Sequence, residues 1–293
     1  MVDPARLVQL TVSGASSGCI YGLIALGFVL VYKATEMVNF AQGEIMMLGG
    51  FTAYTLIAKA GLNYWLGAGL TVVIIAAFGF LLDLLVLRRL IGQKQFSVVM
   101  LTFGLASIFR AVAGMGWGYD PVGFVTPFTN KVVRVGGIVL SETSMSIIVG
   151  TVLLCTALYL FFARTRMGLA MQAASQNQLA AYYMGVPVKT VFSLVWAISA
   201  GIAAIAAVLL APVAMVDVNM GLIGMNAFAG AVLGGFGSIP GAVIGGVVVG
   251  VVEQMAGYFL PAGFQETSAN LVLLAVLIIY PQGLFGTLTR KRV

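Results

Sequence analysis

The residues able to do chemistry in this 293-residue chain are few, and most stand inside apolar stretches. There is no histidine, and the two cysteines, Cys19 and Cys155, lie in apolar runs. That excludes a serine–histidine or cysteine–histidine nucleophile, a disulfide framework and a Cys/His zinc site. What remains is a scatter of carboxylates, amides and one guanidinium: Asn39, Gln42, Glu44, Asp83, Arg110, Asn226 and Glu253. A charge inside a bilayer costs about 2.5–3.5 kcal/mol on insertion scales, so each one needs a function or a partner.

Two readings are open for Glu44 and for Glu253. Each lines a polar path or its gate, or each is structural, capping a broken helix or pairing with Arg110. Glu44 is six residues past residue 38, about 9 Å deep if that span is helical from its start. Gly246, Gly250 and Glu253 fall at i, i+4 and i+7, one smooth face that ends in a carboxylate. Asn39, Gln42, Met46 and Gly49 share a face of their own, as path lining or as interhelical hydrogen bonding. Glu44 points about 200° away from Gln42, so the two face one cavity only if the segment is unwound near Val38-Asn39. Asn226 is a further path candidate. Asp83 is expected to pair with Arg88 or Arg89, and Arg110 to snorkel towards the outer surface.

The elements that must position these residues follow from composition. Hydrophobic residues make up 61% of the chain and charged ones 8%, where a soluble domain carries roughly 45–50% and about 25%. At about 20 residues per span, the roughly 179 apolar positions suffice for about nine crossings. The runs are continuous and not alternating, which argues against a transmembrane barrel. The expected fold is an all-α polytopic membrane protein of eight to nine spans, residues 1–293 forming one transmembrane domain. The candidate segments are 7–32, 38–58, 63–87, 96–117, 140–163, 190–213, 222–237, 241–259 and 268–288. Gly237-Ser238-Ile239-Pro240-Gly241 breaks the stretch 222–259, and 222–237 is short for a crossing. The 37 glycines include Gly14, Gly18 and Gly22, and Gly230 and Gly234, at the four-residue spacing of close helix packing.

Basic residues cluster at Arg88, Arg89 and Lys94; at Arg164, Arg166 and Lys189; and at Arg290, Lys291 and Arg292. Even numbers of spans separate the clusters, so all three fall on one side, the cytoplasm by the positive-inside rule. The N-terminus is then outside, the C-terminus inside, and the loops near Asp217 and Glu266 outside with 118–139. Met1-Val2-Asp3-Pro4-Ala5-Arg6 lacks a basic leader and is read as retained. Trp65, Trp117 and Tyr280 fall where interfacial aromatic anchors belong. The net charge of +6 is expected to meet anionic lipid and not nucleic acid.

The longest cytoplasmic piece, 164–189, is rich in alanine and glutamine, both good helix formers. It predicts a short amphipathic helix in two parts, turning near Ser175-Gln176-Asn177 and stopped by Gly185 and Pro187. Two uses are open: lying on lipid or filling a groove on a partner protein. The run Gly168, Ala174-Ser175-Gln176-Asn177, Ala180-Ala181 and Met184-Gly185-Val186 resembles the coupling loop of ABC importer permeases. It is most similar to the permease family for branched-chain amino acids. Gly18–Tyr32, Val38–Gly49 and Gly234–Gly246, with Gly250 and Glu253, are similar to that family in the same order, so the resemblance covers essentially the whole chain. Gln42 departs from it, since the family commonly has histidine there and glutamine cannot titrate near neutral pH.

The resemblance implies an ATP-driven importer for branched-chain or other hydrophobic amino acids. Its implied partners are two ATP-binding subunits, a second related permease and an external substrate-binding protein, in a bacterial inner membrane. Coupling to the ATPases would run through Arg164, Arg166, Met167, Gly168, Ala174, Ser175, Asn177, Ala180, Ala181, Met184 and Gly185. The chain has no phosphate loop of its own, so ATP and Mg would sit on the partners. On this resemblance it is expected to need no cofactor of its own and to be a transport subunit, not an enzyme. The loop 118–139, with Asp120, Pro121, Pro127 and Lys131, is expected to meet the binding protein. Urea, short amides or aromatic acids are alternative substrates. A stand-alone secondary transporter or channel is the alternative from another class.

Overall fold

In a computed structural model, residues 4–90, 93–128, 132–135, 138–261, 263–280 and 282–286 are described. Each of the nine candidate segments holds a helix. The first is α1 (Pro4–Thr35), followed by α2 (Gln42–Tyr54), which a π-helical turn carries on to Lys59. Then come α3 (Tyr64–Leu85), α4 (Gln95–Trp117), α5 (Glu142–Arg164), α6 (Arg166–Gln176), α7 (Gln178–Tyr183) and α8 (Val188–Leu210). The chain closes with α9 (Ile223–Gly234), α10 (Ile239–Phe259) and α11 (Phe264–Ile279). Among the described residues, six helices are long and apolar enough to cross a membrane. The helices on 38–58, 222–237 and 268–288 are shorter. The last lies earlier than expected, at Phe264–Ile279.

Helix α1 is the hub. In its apolar window 89% of residues are buried, against 17% in α5 at the periphery. It packs chiefly on α10, with α8 and α9 also against it. The glycine stripes bring this about. A methyl group at Gly18 would stand 2.6 Å from Val247 Cα, and one at Gly14 would stand 2.7 Å from Val251 Cα. Gly246 faces the backbone of Gly22, and Gly250 that of Gly18. On the other side of α10, Gly230 meets Gly246 and Gly234 meets Gly241. Dispersion between close backbones thus replaces the hydrophobic drive that lipid does not supply.

The break before α10 is capped in the ordinary way. Ser238 Oγ accepts from the Gly241 N–H at 3.1 Å, with proline in the first turn. This turn lies beside Lys33 and Gln172. The first two basic clusters are neighbours, since Arg88 donates to the Lys189 carbonyl at 3.2 Å. Lys131 and the cluster Arg290, Lys291, Arg292 lie outside the described residues.

Two features depart from the expected pattern. Residues 38–41 are not helical, so the depth of Glu44 is not given by helical rise from residue 38. Glu36 ends α1 at φ +57°, and Phe40 N–H donates to Thr102 Oγ1 of α4 at 3.3 Å. The fold is also not purely helical. A hairpin of β1 (Val132–Val135) and β2 (Ile138–Ser141) pairs antiparallel, and Val122 bridges Val216. That bridge ties the 118–128 loop to the segment after α8.

Candidate functional site

Four polar groups stand out among the described residues of the helices. The first gathers at the N-terminus of α2. Asn39 Nδ2 donates to Gln42 Oε1 at 3.1 Å, and Gln42 Nε2 to the Ser199 carbonyl at 3.2 Å. Ser199 Oγ lies 3.0 Å from the Gly27 carbonyl and 3.1 Å from Gln42 Oε1. Ser199 stands midway along α8, eleven residues from either end. Gln42 and Asn39 are 0% and 1% exposed, and Met46 is fully buried. Gly27 supplies the room, because a methyl group there would strike the Gln42 amide. A closed set of this kind satisfies every amide it buries. Here Gln42 bonds across to α8, while Asn39 bonds locally, to Gln42 and from the Ala41 N–H.

The second group places Asn226 and Glu253 together. Tyr21 on α1 stands within hydrogen-bonding reach of both side chains. Glu253 is 8% exposed, at the end of the glycine face that packs on α1.

The third is an ion pair across 66 residues. Arg110 Nη2 donates to Glu44 Oε1 at 2.6 Å. Arg110 therefore does not simply snorkel, since a buried carboxylate one helix away claims it. The pair borders a cavity of about 220 Å³ whose other walls include Phe28, Phe40, Phe103, Gly221 and Met225. Phe40 stacks on Phe103 at 4.6 Å between ring centres. Gly221 leaves space beside the carboxylate, where a methyl group would come within 2.9 Å of Glu44 Oε1. Gln42 and Glu44 thus serve separate places, as their angle on a helix requires.

Nearer the basic side, Ser193 Oγ donates to Asp83 Oδ2 at 2.6 Å. Arg88 donates to Ser193 Oγ at 2.8 Å, and its Nε lies 4.0 Å from Asp83. The expected Asp83–Arg88 pairing is present, with a serine between. Sequence reasoning did not single out Ser193, Ser199, Thr102, Tyr21, Gly27 or Gly221. A hydroxyl in the middle of an apolar helix, such as Ser199, was the available signal.

The segment 164–189 folds as two helices. Thr165 caps α6 by accepting from Gly168 N–H at 2.9 Å. Asn177 caps α7 by accepting from Ala180 N–H at 2.9 Å. Gly185 takes φ +82°, a value costly for any residue with a Cβ. Gly168, Met171, Ala174 and Ala181 are buried against the bundle, with Met167 and Ser175 half-buried. Gly168 sits directly on the last turn of α5, at Phe161 and Phe162. Arg164, Arg166, Asn177, Ala180, Met184 and Gly185 are exposed. Leu179, Tyr182, Tyr183 and Met184 present an apolar surface, 66–85% exposed. Gln178 Nε2 donates to the Ala34 carbonyl at the end of α1, 3.2 Å away.

Residues 10–281 match the family described as branched-chain amino acid transport system, permease component. The chain is 31% identical to the high-affinity branched-chain amino acid transport system permease protein BraD of Pseudomonas aeruginosa, over 98% of both chains. It is 31% identical to the corresponding protein LivH of Escherichia coli, over 95% of both. A probable branched-chain amino acid transport permease protein LivH of Methanocaldococcus jannaschii is 29% identical over 92% of this chain and 89% of that protein. With a match over nearly the whole chain and a fold of apolar helices, this protein belongs to the family of branched-chain amino acid transport permease components.

Proposed function

We propose that the chain is one permease subunit of an ATP-driven importer that carries branched-chain or other hydrophobic amino acids into the cytoplasm. The observation that supports this best is the helix pair α6–α7. One face is wedged under the bundle and the other offers Leu179, Tyr182, Tyr183 and Met184 to a partner. An apolar face rimmed by Arg88 and Lys189 suits a groove on a soluble protein better than it suits lipid. The partners on this reading are two ATP-binding subunits, which hold ATP and Mg, and a second related permease.

The chain crosses the bacterial inner membrane eight to nine times, with its N-terminus outside and its C-terminus inside. An external binding protein selects the substrate and docks on the outer loops, including 118–128. ATP-driven closure of the two ATPases moves α6–α7 and tilts the spans between outward- and inward-facing states.

The test replaces Ala180, Ala181 and Gly185 together with larger residues in the assembled transporter. ATP hydrolysis should continue while uptake is lost. Unchanged coupled uptake refutes the docking role. Copurification without any nucleotide-binding subunit would favour a stand-alone carrier. Screening the cognate binding protein against amino acids, amides and urea decides the substrate.

A further inference from the structure

The Glu44–Arg110 pair is matched in charge and geometry to a zwitterion. Glu44 offers a carboxylate, whose side chain is 6% exposed, and Arg110 a planar guanidinium, 38% exposed. Both border one cavity of about 220 Å³, below the roughly 300–1,000 Å³ of drug-sized sites and suited to one small molecule. Its remaining walls are largely aromatic and aliphatic, with Phe28, Phe40, Phe103 and Met225 prominent. Arg110 Nε is buried and hydrogen-bonds to no described residue, so the fork keeps donor capacity beyond the contact with Glu44. Two other carboxylates within the helices are held elsewhere, Asp83 by Ser193 and Arg88, and Glu253 beside Tyr21.

We propose that this pair is the place where the permease holds an amino acid in transit. The substrate carboxylate takes the Arg110 fork, its ammonium takes Glu44, and its apolar side chain lies against Phe28, Phe103 and Met225. When the site is empty the two protein charges neutralise each other. When substrate enters they part, and each exchanges one opposite charge for another. No unpaired charge is buried at either stage, which is what makes charge inside a helix bundle tolerable. A neutral amide, an organic acid or an amine cannot make this exchange, so the site favours zwitterions. The inference rests on the amino acid reading above.

The experiment uses the purified full chain in lipid nanodiscs and a leucine analogue with a diazirine on its side chain. Photolabelled peptides are mapped by mass spectrometry. Labelling is expected at Phe103 or Met225 and to be suppressed by leucine. Isocaproate, which lacks the ammonium, and isoamylamine, which lacks the carboxylate, should each need at least about tenfold more for the same suppression, the worth of one charge-assisted contact. Glu44→Gln, Arg110→Gln and the double variant should each lower labelling by a similar factor. Competition by isocaproate or isoamylamine as strong as by leucine overturns the proposal without relying on any variant. So does full labelling in a folded double variant, which is what a merely structural pair would give. Leucine uptake by cells carrying the transporter is measured in parallel. Uptake of leucine with no labelling at the cavity sinks this inference alone. Uptake of urea or an amide in place of leucine sinks the amino acid reading and this inference with it.

Discussion

Replacing Gly18 by alanine adds one methyl group at the closest approach of α1 and α10. That methyl carbon would stand 2.6 Å from Val247 Cα and 2.8 Å from the carbonyl oxygens of Gly246 and Val247. Carbon pairs are most favourable at about 3.5–4.0 Å, so the contact falls short by about 1 Å. All three atoms are backbone, and no side chain can rotate away. The helices must part, and a gap of about 0.5–1 Å forfeits a quarter to a half of each contact along the seam. Gly14 and Gly22 share that seam, with their own approaches at 2.7 and 2.9 Å. Overpacking of this kind costs about 1–3 kcal/mol.

The control is the same substitution at Gly104 of α4, where an added methyl group would meet nothing within 4 Å. Alanine gains about 1 kcal/mol of helix propensity over glycine at both positions, so that gain cancels in the comparison. Unfolding of the purified protein can be followed with a thiol-reactive fluorogenic dye. Cys19, 7% exposed and next to Gly18, is the reporter, in a Cys155→Ala background. At about 2–4 °C per kcal/mol, Gly18→Ala should unfold several degrees below Gly104→Ala. Equal midpoints would show that the glycine seam does not carry the packing described above.

Two further outcomes are expected. Asn177→Ala removes the α7 cap at 2.9 Å and should cost about 0.5–2 kcal/mol of local stability, read as faster amide hydrogen exchange across 178–183 with the exchange of α8 unchanged. Gln42→Leu leaves the Asn39 amide without its 3.1 Å acceptor and should lower stability by about 1–3 kcal/mol; thermal unfolding of the purified protein checks this, and an unchanged midpoint refutes it.

The spans were legible because lipid makes the signal nearly one-dimensional. A long continuous run of apolar residues reads as a helix, for a helix satisfies its backbone within one segment in hydrocarbon, and the barrel alternative would alternate. The break at Ser238 and Pro240 and the two-part 164–189 segment were legible for a local reason, namely caps and stops written in adjacent residues. The irregular stretch 36–41 was legible only as an open possibility, unwinding near Val38-Asn39. It contains neither glycine nor proline, and Glu36 takes a left-handed φ of +57° that its own Cβ opposes. Distant residues impose that conformation, Thr102 by holding Phe40 and Ser199 by holding Gln42. Pairing of a glutamate with Arg110 was one open reading from the sequence. That the partner is Glu44, and that the pair borders a cavity, depends on how α2 and α4 cross, which periodicity does not encode. The hairpin at 132–141 lies in a loop where no strand was expected.

The position of 36–41 gives the proposed coupling a physical route. A helix end moves as part of a rigid rod, but this stretch is held by a few side-chain bonds and no backbone ladder. It begins one residue after Thr35, and the carbonyl of Ala34 is bonded by Gln178 of α7. A cavity of about 230 Å³ lies among Glu36, Met37, Gln95 and Gln178, so α7 and the irregular stretch are neighbours with room between them. At the other end of the stretch stand Gln42 and Glu44, the first turn of α2. On the proposed coupling, a displacement of α7 by a docked partner would reach the polar groups of α2 through this short length of chain. The close glycine contacts of α1, α9 and α10 would stay packed while the Glu44–Arg110 contact opens.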